Sequence, residues 1–275
     1  MTNKININTF NLENKYALIT GAAGLLGEQH ARSILEINGL VVLVDINLVK
    51  LKKIYNKLSK DFKKNRILIL KMDVTSENSI KGVIRFLKKK KIFIDILINN
   101  AALNPKPITK ISRNNLETFP LKEWEKEIQV GLTGYFLCTK YFGHEMSKQK
   151  KGVILNISSD LSVISPDQRI YKNKKSKKQY YKPITYSVIK TSITGLTRYT
   201  ATYWADMNIR CNSLSPGGIY NNQDNIFLAN IKKLIPLNRL AKKDEYKSSV
   251  KYLCSEASSY MTGQNIVVDG GRSVW

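Results

Sequence analysis

The sequence predicts an α/β fold in which a doubly wound parallel sheet carries helices on both faces, built as a single domain over residues 1–275. Three observations predict it. Short unbroken apolar runs recur at 16–20, 41–44, 67–70, 92–99 and 152–157, as strands buried on both faces require. Longer segments of helical character alternate with them. The apolar content of 43% over 275 residues is enough for one large core.

The first run, its turn and the second run form one unit, "YALITGAAGLLGEQHARSILEINGLVVLVDIN". A strand ending at Thr20 enters a turn of small residues, a helix starts near Gly27, and a second strand ends at Asp45. Glycine lets a backbone approach a pyrophosphate closely, and a helix N-terminus adds unpaired N–H groups and positive dipole. Asp45 follows Gly27 by 18 residues, near the place where an acid accepts hydrogen bonds from ribose hydroxyls. The next segments, "LVKLKKIYNKLSKDFKKN" and "IRFLKKKK", place apolar residues at helical spacing with lysines on the outer face.

That pattern decides how the formal charge of +24 is read. Clustered cations gain affinity for nucleic acid by releasing counterions, but these lysines are spread over helix faces, so a solvated surface is the expectation. No 18-residue apolar stretch is present, and "MTNKININTFNLENK" lacks a signal-peptide core, so a cytoplasmic protein without membrane attachment is expected. Cys138, Cys211 and Cys254 are odd in number and far apart, which fits reduced thiols, and His30 and His144 are too distant for a zinc site, so no metal is expected.

Catalytic chemistry is suggested by a tyrosine and a lysine four positions apart, one turn of a helix, where an ammonium favours a phenolate. With 14 Tyr and 36 Lys, about two such pairs arise by chance, and two occur, Tyr171 with Lys175 and Tyr186 with Lys190. Their surroundings differ. Tyr186 leads into "TSITGLTRYTATYWA", with small and apolar residues at helical spacing, whereas Tyr171 sits in "RIYKNKKSKKQYYK", which has no apolar face and reads as a loop.

Taken together these segments resemble the short-chain dehydrogenase/reductase family over nearly the whole chain, with its Rossmann-like fold. "TGAAGLLG" keeps Thr20, Gly21 and Gly27 of the family turn, moves one glycine to Gly24, and has Leu25 at the middle glycine position. There follow in family order "MDV" at 72–74, "NNAA" at 99–102, "NISS" at 156–159, the Tyr186 and Lys190 pair, "SPGG" at 215–218 and "TGQNIVVDGG" at 262–271. The resemblance implies that Ser159, Tyr186 and Lys190 are catalytic. Pyrophosphate contact would fall to Gly21, Gly24, Leu26 and Gly27, and the ribose to Asp45. Asp73 and Val74 would border the adenine, with Asn99 and Ala101 beside the cofactor. Tyr186 and Lys190 would also bind it, as would Pro216, Gly217 and Ile219.

The implied mechanism has Tyr186 exchanging a proton with a secondary alcohol or ketone while Ser159 holds the reacting oxygen. A carboxylate at Asp45 repels a 2′-phosphate of roughly −1.5 to −2 charges, so NAD is expected over NADP. One departure is Gly131, where the family usually has an Asn; there a glycine still supplies the backbone carbonyl and the helix kink of a proton relay.

A second departure is a basic insertion at about 165–183, whose cations Arg169, Lys172, Lys174, Lys175, Lys177, Lys178 and Lys182 are candidates for attracting an anionic substrate. With "DLSVISPDQR" and the ending "DGGRSVW", the insertion resembles a branch associated with bacterial surface-polysaccharide and flagellin-sugar biosynthesis, which implies a phosphorylated or nucleotide-linked sugar. The family also implies a homodimer or homotetramer. Competing readings are an NADP-dependent carbonyl reductase of a small metabolite, a non-catalytic dinucleotide sensor and a nucleic-acid binder.

Overall fold

The computed structural model describes residues 8–103, 115–172 and 179–275. Seven strands, β1 (Tyr16–Thr20), β2 (Leu40–Asp45), β3 (Ile67–Lys71), β4 (Ile96–Asn99), β5 (Gly152–Ile157), β6 (Ile209–Pro216) and β7 (Asn265–Val268), form one sheet in the order β3-β2-β1-β4-β5-β6-β7. Every pairing is parallel. The chain therefore runs outward from β1 in one direction and, after β3, from β4 in the other. The crevice beyond the strand ends between β1 and β4 is the switch point at which such sheets bind ligands.

The helices are α1 (Gly27–Glu36), α2 (Leu48–Leu58), α3 (Glu77–Lys89), α4 (Leu121–Ile128), α5 (Gly134–Lys148), α6 (Ile184–Tyr203), α7 (Asn225–Lys232) and α8 (Lys247–Cys254). Strand alternation sorts them onto two faces. Ala17, Ile19, Val41 and Leu43 pack with Ile34 of α1, Leu51 of α2 and Val250 of α8. Leu18, Val42, Val44 and Leu97 turn the other way, onto Ile80 and Val83 of α3 and Phe142 and Met146 of α5. Local caps agree with this layout. The side chain of Asn47 accepts the Lys50 N–H before α2, Ser76 that of Ser79 before α3, and Asp224 that of Phe227 before α7.

The apolar run 92–99 is strand only from Ile96. Lys91 adopts a left-handed conformation (φ 55°) after α3, and the carboxylate of Asp95 then accepts the Tyr16 N–H at 2.9 Å and pairs with Lys15 at 3.2 Å. Residues 92–95 thus close a turn that brings β4 beside β1. Cys138, Cys211 and Cys254 are buried free thiols. Among the described residues no helix is long and apolar enough to cross a membrane.

His30 lies in α1 with only 1% of its surface exposed, and burial lowers its pKa from 6.5 to about 4, against a smaller opposing contribution from Asn100. The unfolded chain takes up this proton near pH 6.5 and the folded protein only near 4, so stability falls as the pH drops through that window. The loss approaches about 3 kcal/mol. Urea unfolding at pH 7 and 4.5 should show it, and His30→Leu should remove this part of the pH dependence; equal slopes in both proteins would refute it.

Candidate active site

A cleft of about 690 Å³ opens along the carboxyl ends of the strands. At one end the turn after β1 contributes Gly21, Gly24, Leu25 and Leu26. Gly21 has φ +59°, and a Cβ there would lie 2.6 Å from the Ala101 Cα, so only glycine lets the turn rest on the strand end of β4. Gly27 does not line the cleft; a Cβ there would strike the Ala22 carbonyl oxygen at 2.5 Å, so its part is to let α1 start tightly against the turn. The first N–H groups of α1 are left without intrahelical partners at the edge of the cleft.

Asp45, at the end of β2, accepts the Ala23 N–H at 3.0 Å on one oxygen and the Asn47 N–H at 2.8 Å on the other. Each oxygen keeps a lone pair for a further donor, as two ribose hydroxyls require. Asp73, Val74 and Ala101 line the same end. Asn99 does not. Its amide donates to Thr139 at 3.1 Å and Asn156 at 2.9 Å, fully inside the core, because the side chain of the last residue of β4 points to the sheet face covered by α5. Its neighbour Asn100 borders the cleft and braces the turn by donating to the carbonyls of Thr20 and Gly21. The donors, acid and glycine turn therefore fit an adenine dinucleotide.

Ser159, Tyr186 and Lys190 line the same cleft past the end of β5, and Pro216, Gly217 and Ile219 line it past the end of β6. Pro183 precedes α6, which presents Tyr186 and Lys190 one turn apart toward the end of β5. Lys190 donates to the Ile157 carbonyl at 2.9 Å, and Ser158 donates to the Lys190 carbonyl at 2.7 Å, tying helix to strand. Burial brings the Lys190 pKa down to about 7, helped by repulsion from Lys182. Burial also raises the Tyr186 pKa, opposed by its hydrogen bond with Ser159 and reinforced by the charge of Asp160. Lys190 stands 5.8 Å from the ring centroid, and the pKa of that phenol remains raised.

Four further residues stand near this centre, and of these only Lys182 was a candidate from the sequence, as one cation of the insertion. Asp160 accepts from Ser159 at 2.8 Å and pairs at 2.7 Å with Arg272, 112 residues away, both side chains being buried. Lys182, just before Pro183, holds its ammonium 3.7 Å from the centroid of the Tyr186 ring. Tyr171, expected as a loop residue, lines the cleft from a short 3-10 turn (Gln168–Tyr171) and stacks on Phe227 at 5.7 Å. Burial pushes its pKa up to about 12, so it stays a neutral phenol. Its partner at the same spacing, Lys175, lies outside the described residues, as do Lys174, Lys177 and Lys178.

Gly131 lies in a π-helical turn (Gln129–Thr133) joining α4 to α5. A Cβ on it would meet Ile189 of α6 at 2.9 Å, so α6 packs where a larger residue would force the two helices apart.

Comparison with known proteins bears on this arrangement. A family model described as enoyl-(acyl carrier protein) reductase matches residues 21–273. The NAD-dependent glycerol dehydrogenase of Listeria innocua is 31% identical, with 96% of each chain covered, and the post-translational flagellin modification protein A of Campylobacter coli is 32% identical, with 94% of this chain and 98% of that protein covered. Among solved structures, a gluconate 5-dehydrogenase from Burkholderia cenocepacia in complex with NADP and tartrate superposes with a TM-score of 0.84 at 25% identity, covering 98% of each chain. A short chain dehydrogenase from Leptospira borgpetersenii with bound NAD+ superposes at 0.81 with 31% identity, covering 97% of this chain and 95% of that one. A parallel seven-stranded sheet, a glycine turn at its switch point and matches along the full chain have one common explanation: the protein belongs to the short-chain dehydrogenase/reductase family and is an NAD(P)-dependent oxidoreductase.

Proposed function

We propose that the protein uses NAD in preference to NADP and transfers a hydride between it and a secondary alcohol or ketone of an anionic sugar-like substrate. The observation that carries this reading is the convergence of Ser159, Tyr186 and Lys190 at one end of a cleft whose other end holds Asp45. When bound, the nicotinamide accepts or returns the hydride. Tyr186 then takes the proton of the substrate hydroxyl, or gives it back in the reverse direction. Ser159 orients the reacting oxygen, and to donate to it the hydroxyl must turn away from Asp160. Lys190, held by the Ile157 carbonyl, supplies the positive charge that stabilises the phenolate once Tyr186 has lost its proton. The carbonyl side of the π-helical turn at Gly131 is the candidate for passing that proton on.

A role in surface-glycan biosynthesis draws its support from the likeness to the flagellin modification protein. Rates of NAD reduction against a panel of sugar phosphates, sugar acids and nucleotide sugars test the reading; activity confined to small neutral ketones with NADPH would favour the carbonyl-reductase alternative.

Asp45 carries the cofactor preference in this proposal. Asp45→Ala should weaken NAD binding by about tenfold, since hydrogen bonds to a charged acceptor are lost, and narrow the preference over NADP because the repulsion of a 2′-phosphate goes with it. Calorimetric NAD affinity and the ratio of kcat/KM for the two cofactors check this, and unchanged values would move the ribose contact elsewhere.

Leu121 of α4, Phe136 of α5 and Tyr199 and Tyr203 of α6 are exposed, and we infer that they are covered in a homodimer or homotetramer. Sedimentation equilibrium showing a monomer at micromolar concentration would end that part of the proposal.

A further inference from the structure

We propose that Arg272 is a positioning residue for the reaction: by holding the outer oxygen of Asp160 it loosens that carboxylate's grip on the Ser159 hydroxyl and frees the hydroxyl's one proton for the oxygen of Tyr186 or of the substrate. The inference rests on the roles proposed above for Ser159 and Tyr186 and adds a residue from the far end of the chain.

Ser159 has a single O–H to give. In this structure Asp160 takes it at 2.8 Å on Oδ1, and the same oxygen accepts the Leu161 N–H at 2.9 Å. Oδ2 accepts from Arg272 at 2.7 Å. Ser159, Asp160 and Arg272 are all buried, so the carboxylate depends on these protein donors. A guanidinium against one oxygen offsets part of the carboxylate's charge, and the other oxygen then competes less strongly for the Ser159 proton.

The C-terminal segment is built to hold the guanidinium there. Asp269 accepts the Gly271 N–H at 2.9 Å on one oxygen and the Ser273 N–H at 2.8 Å on the other, which folds the chain tightly around position 272. The Leu237 N–H donates to the Gly270 carbonyl at 3.1 Å, and the Trp275 indole N–H to the Leu234 carbonyl at 3.3 Å. Those bonds pin the segment to the stretch after α7, between Ile231 and Leu240 of the cleft wall.

Tyr186 senses the state of the pair. Its phenol shares its surroundings with Lys190 of its own helix, Lys182 just before it, Tyr135 of α5, Tyr171 of the 3-10 turn and Asp160 beyond β5. Burial raises its pKa, the hydrogen bond with Ser159 lowers it, and the charge of Asp160 raises it again. Arg272 therefore acts on the phenol in one direction by two routes, shielding Asp160 and leaving Ser159 able to donate. Asp160 also acts on Lys182, Tyr171 and Tyr246, and its field on those groups does not pass through the Ser159 hydroxyl. Removing Ser159 separates the two routes.

The test reads Tyr186 ionisation as tyrosinate absorbance in protein saturated with NAD, each variant minus its Tyr186→Phe counterpart. Arg272→Met should raise the midpoint by about one pH unit, Asp160→Asn should lower it by about as much, and Arg272→Lys should stay within about half a unit of the wild type. In a Ser159→Ala background the shift caused by Arg272→Met should fall to less than about half. Measurements are made in the cold with the folded fraction checked by circular dichroism, and the same cycle with Asp160→Asn carries the test where Arg272→Met does not fold. With NAD and glycerol, sorbitol or gluconate, kcat at pH 7 should drop about tenfold in Arg272→Met and return to within about threefold of the wild type in Arg272→Lys, while KM for NAD changes by less than about twofold.

Midpoints that do not move, that move in the same direction in Arg272→Met and Asp160→Asn, or that keep their full shift without Ser159 would each overturn the proposal. So would a wild-type kcat in folded Arg272→Met. Turnover that is lost in Tyr186→Phe while the midpoint ignores Arg272 sinks this inference and leaves the proposed reaction standing. Midpoints that shift as stated in a protein that oxidises no alcohol with NAD or NADP do the reverse.

Discussion

Tyr186→Phe is expected to lower kcat by about 10³-fold while NAD affinity stays within about twofold of the wild type. The phenol oxygen is the single atom removed, and in the proposed mechanism it is the group that exchanges a proton with the substrate. The ring remains, so its contact with Lys182 and the packing of α6 onto β5 persist. In the proposed site NAD is held by contacts spread over the glycine turn, Asp45 and the residues near Asp73, which the substitution leaves in place. Tyr171→Phe keeps the stack on Phe227 and should retain at least about half of the activity, because the proposed proton exchange runs through Tyr186, the phenol hydrogen-bonded with Ser159. Steady-state kinetics and a calorimetric NAD titration on both variants decide the matter. Wild-type turnover in Tyr186→Phe would end the proposed mechanism.

Arg272→Met is expected to cost about 3 kcal/mol of stability and to lower the melting temperature by roughly 10 °C. Arg272 and Asp160 pair at 2.7 Å with side chains only 8% and 4% exposed. Removing the cation strands a carboxylate inside the protein, which is worse than having no pair at all. The effect extends to the site, because the other oxygen of Asp160 accepts from Ser159 at 2.8 Å and the Leu161 N–H at 2.9 Å. The double variant Asp160→Asn with Arg272→Met should recover at least half of the lost stability, since the unpaired charge goes with the acid. Thermal melts of the wild type and the three variants form the test cycle. A melting temperature unchanged in Arg272→Met would show that the pair is compensated by water in solution.

Those two residues mark the boundary between what is local in this chain and what is not. The α/β alternation was legible in the sequence because a buried strand and an amphipathic helix each write their period into neighbouring residues. The runs at 16–20 and 41–44 lie in β1 and β2 for that reason. The glycine turn and the carboxylate at Asp45 were legible for the same cause, as one compact unit of strand, turn, helix and strand. So was the choice of Tyr186 over Tyr171 as the tyrosine on a packed helix, since the apolar face that follows it forms α6.

What lay beyond the sequence is where side chains point and which distant residues meet. Asn99 and Asn100 are adjacent and identical in type, yet one is buried between β4 and β5 and the other braces the glycine turn, a difference set by the pleat at a strand end. Tyr171 faces the cleft because α7 comes to it from later in the chain and supplies Phe227. Arg272 reaches Asp160 across 112 residues only because the chain beyond β7 turns back over the end of β5. Lys182 falls outside α6, so no helical period connects it with Tyr186. Sequence alone therefore determined the fold, the glycine turn and the Tyr-Lys helix, whose signals are short-range periodicities. The tertiary structure decided the charge around the reacting end, because long-range pairing depends on strand register and loop closure, which no local pattern encodes.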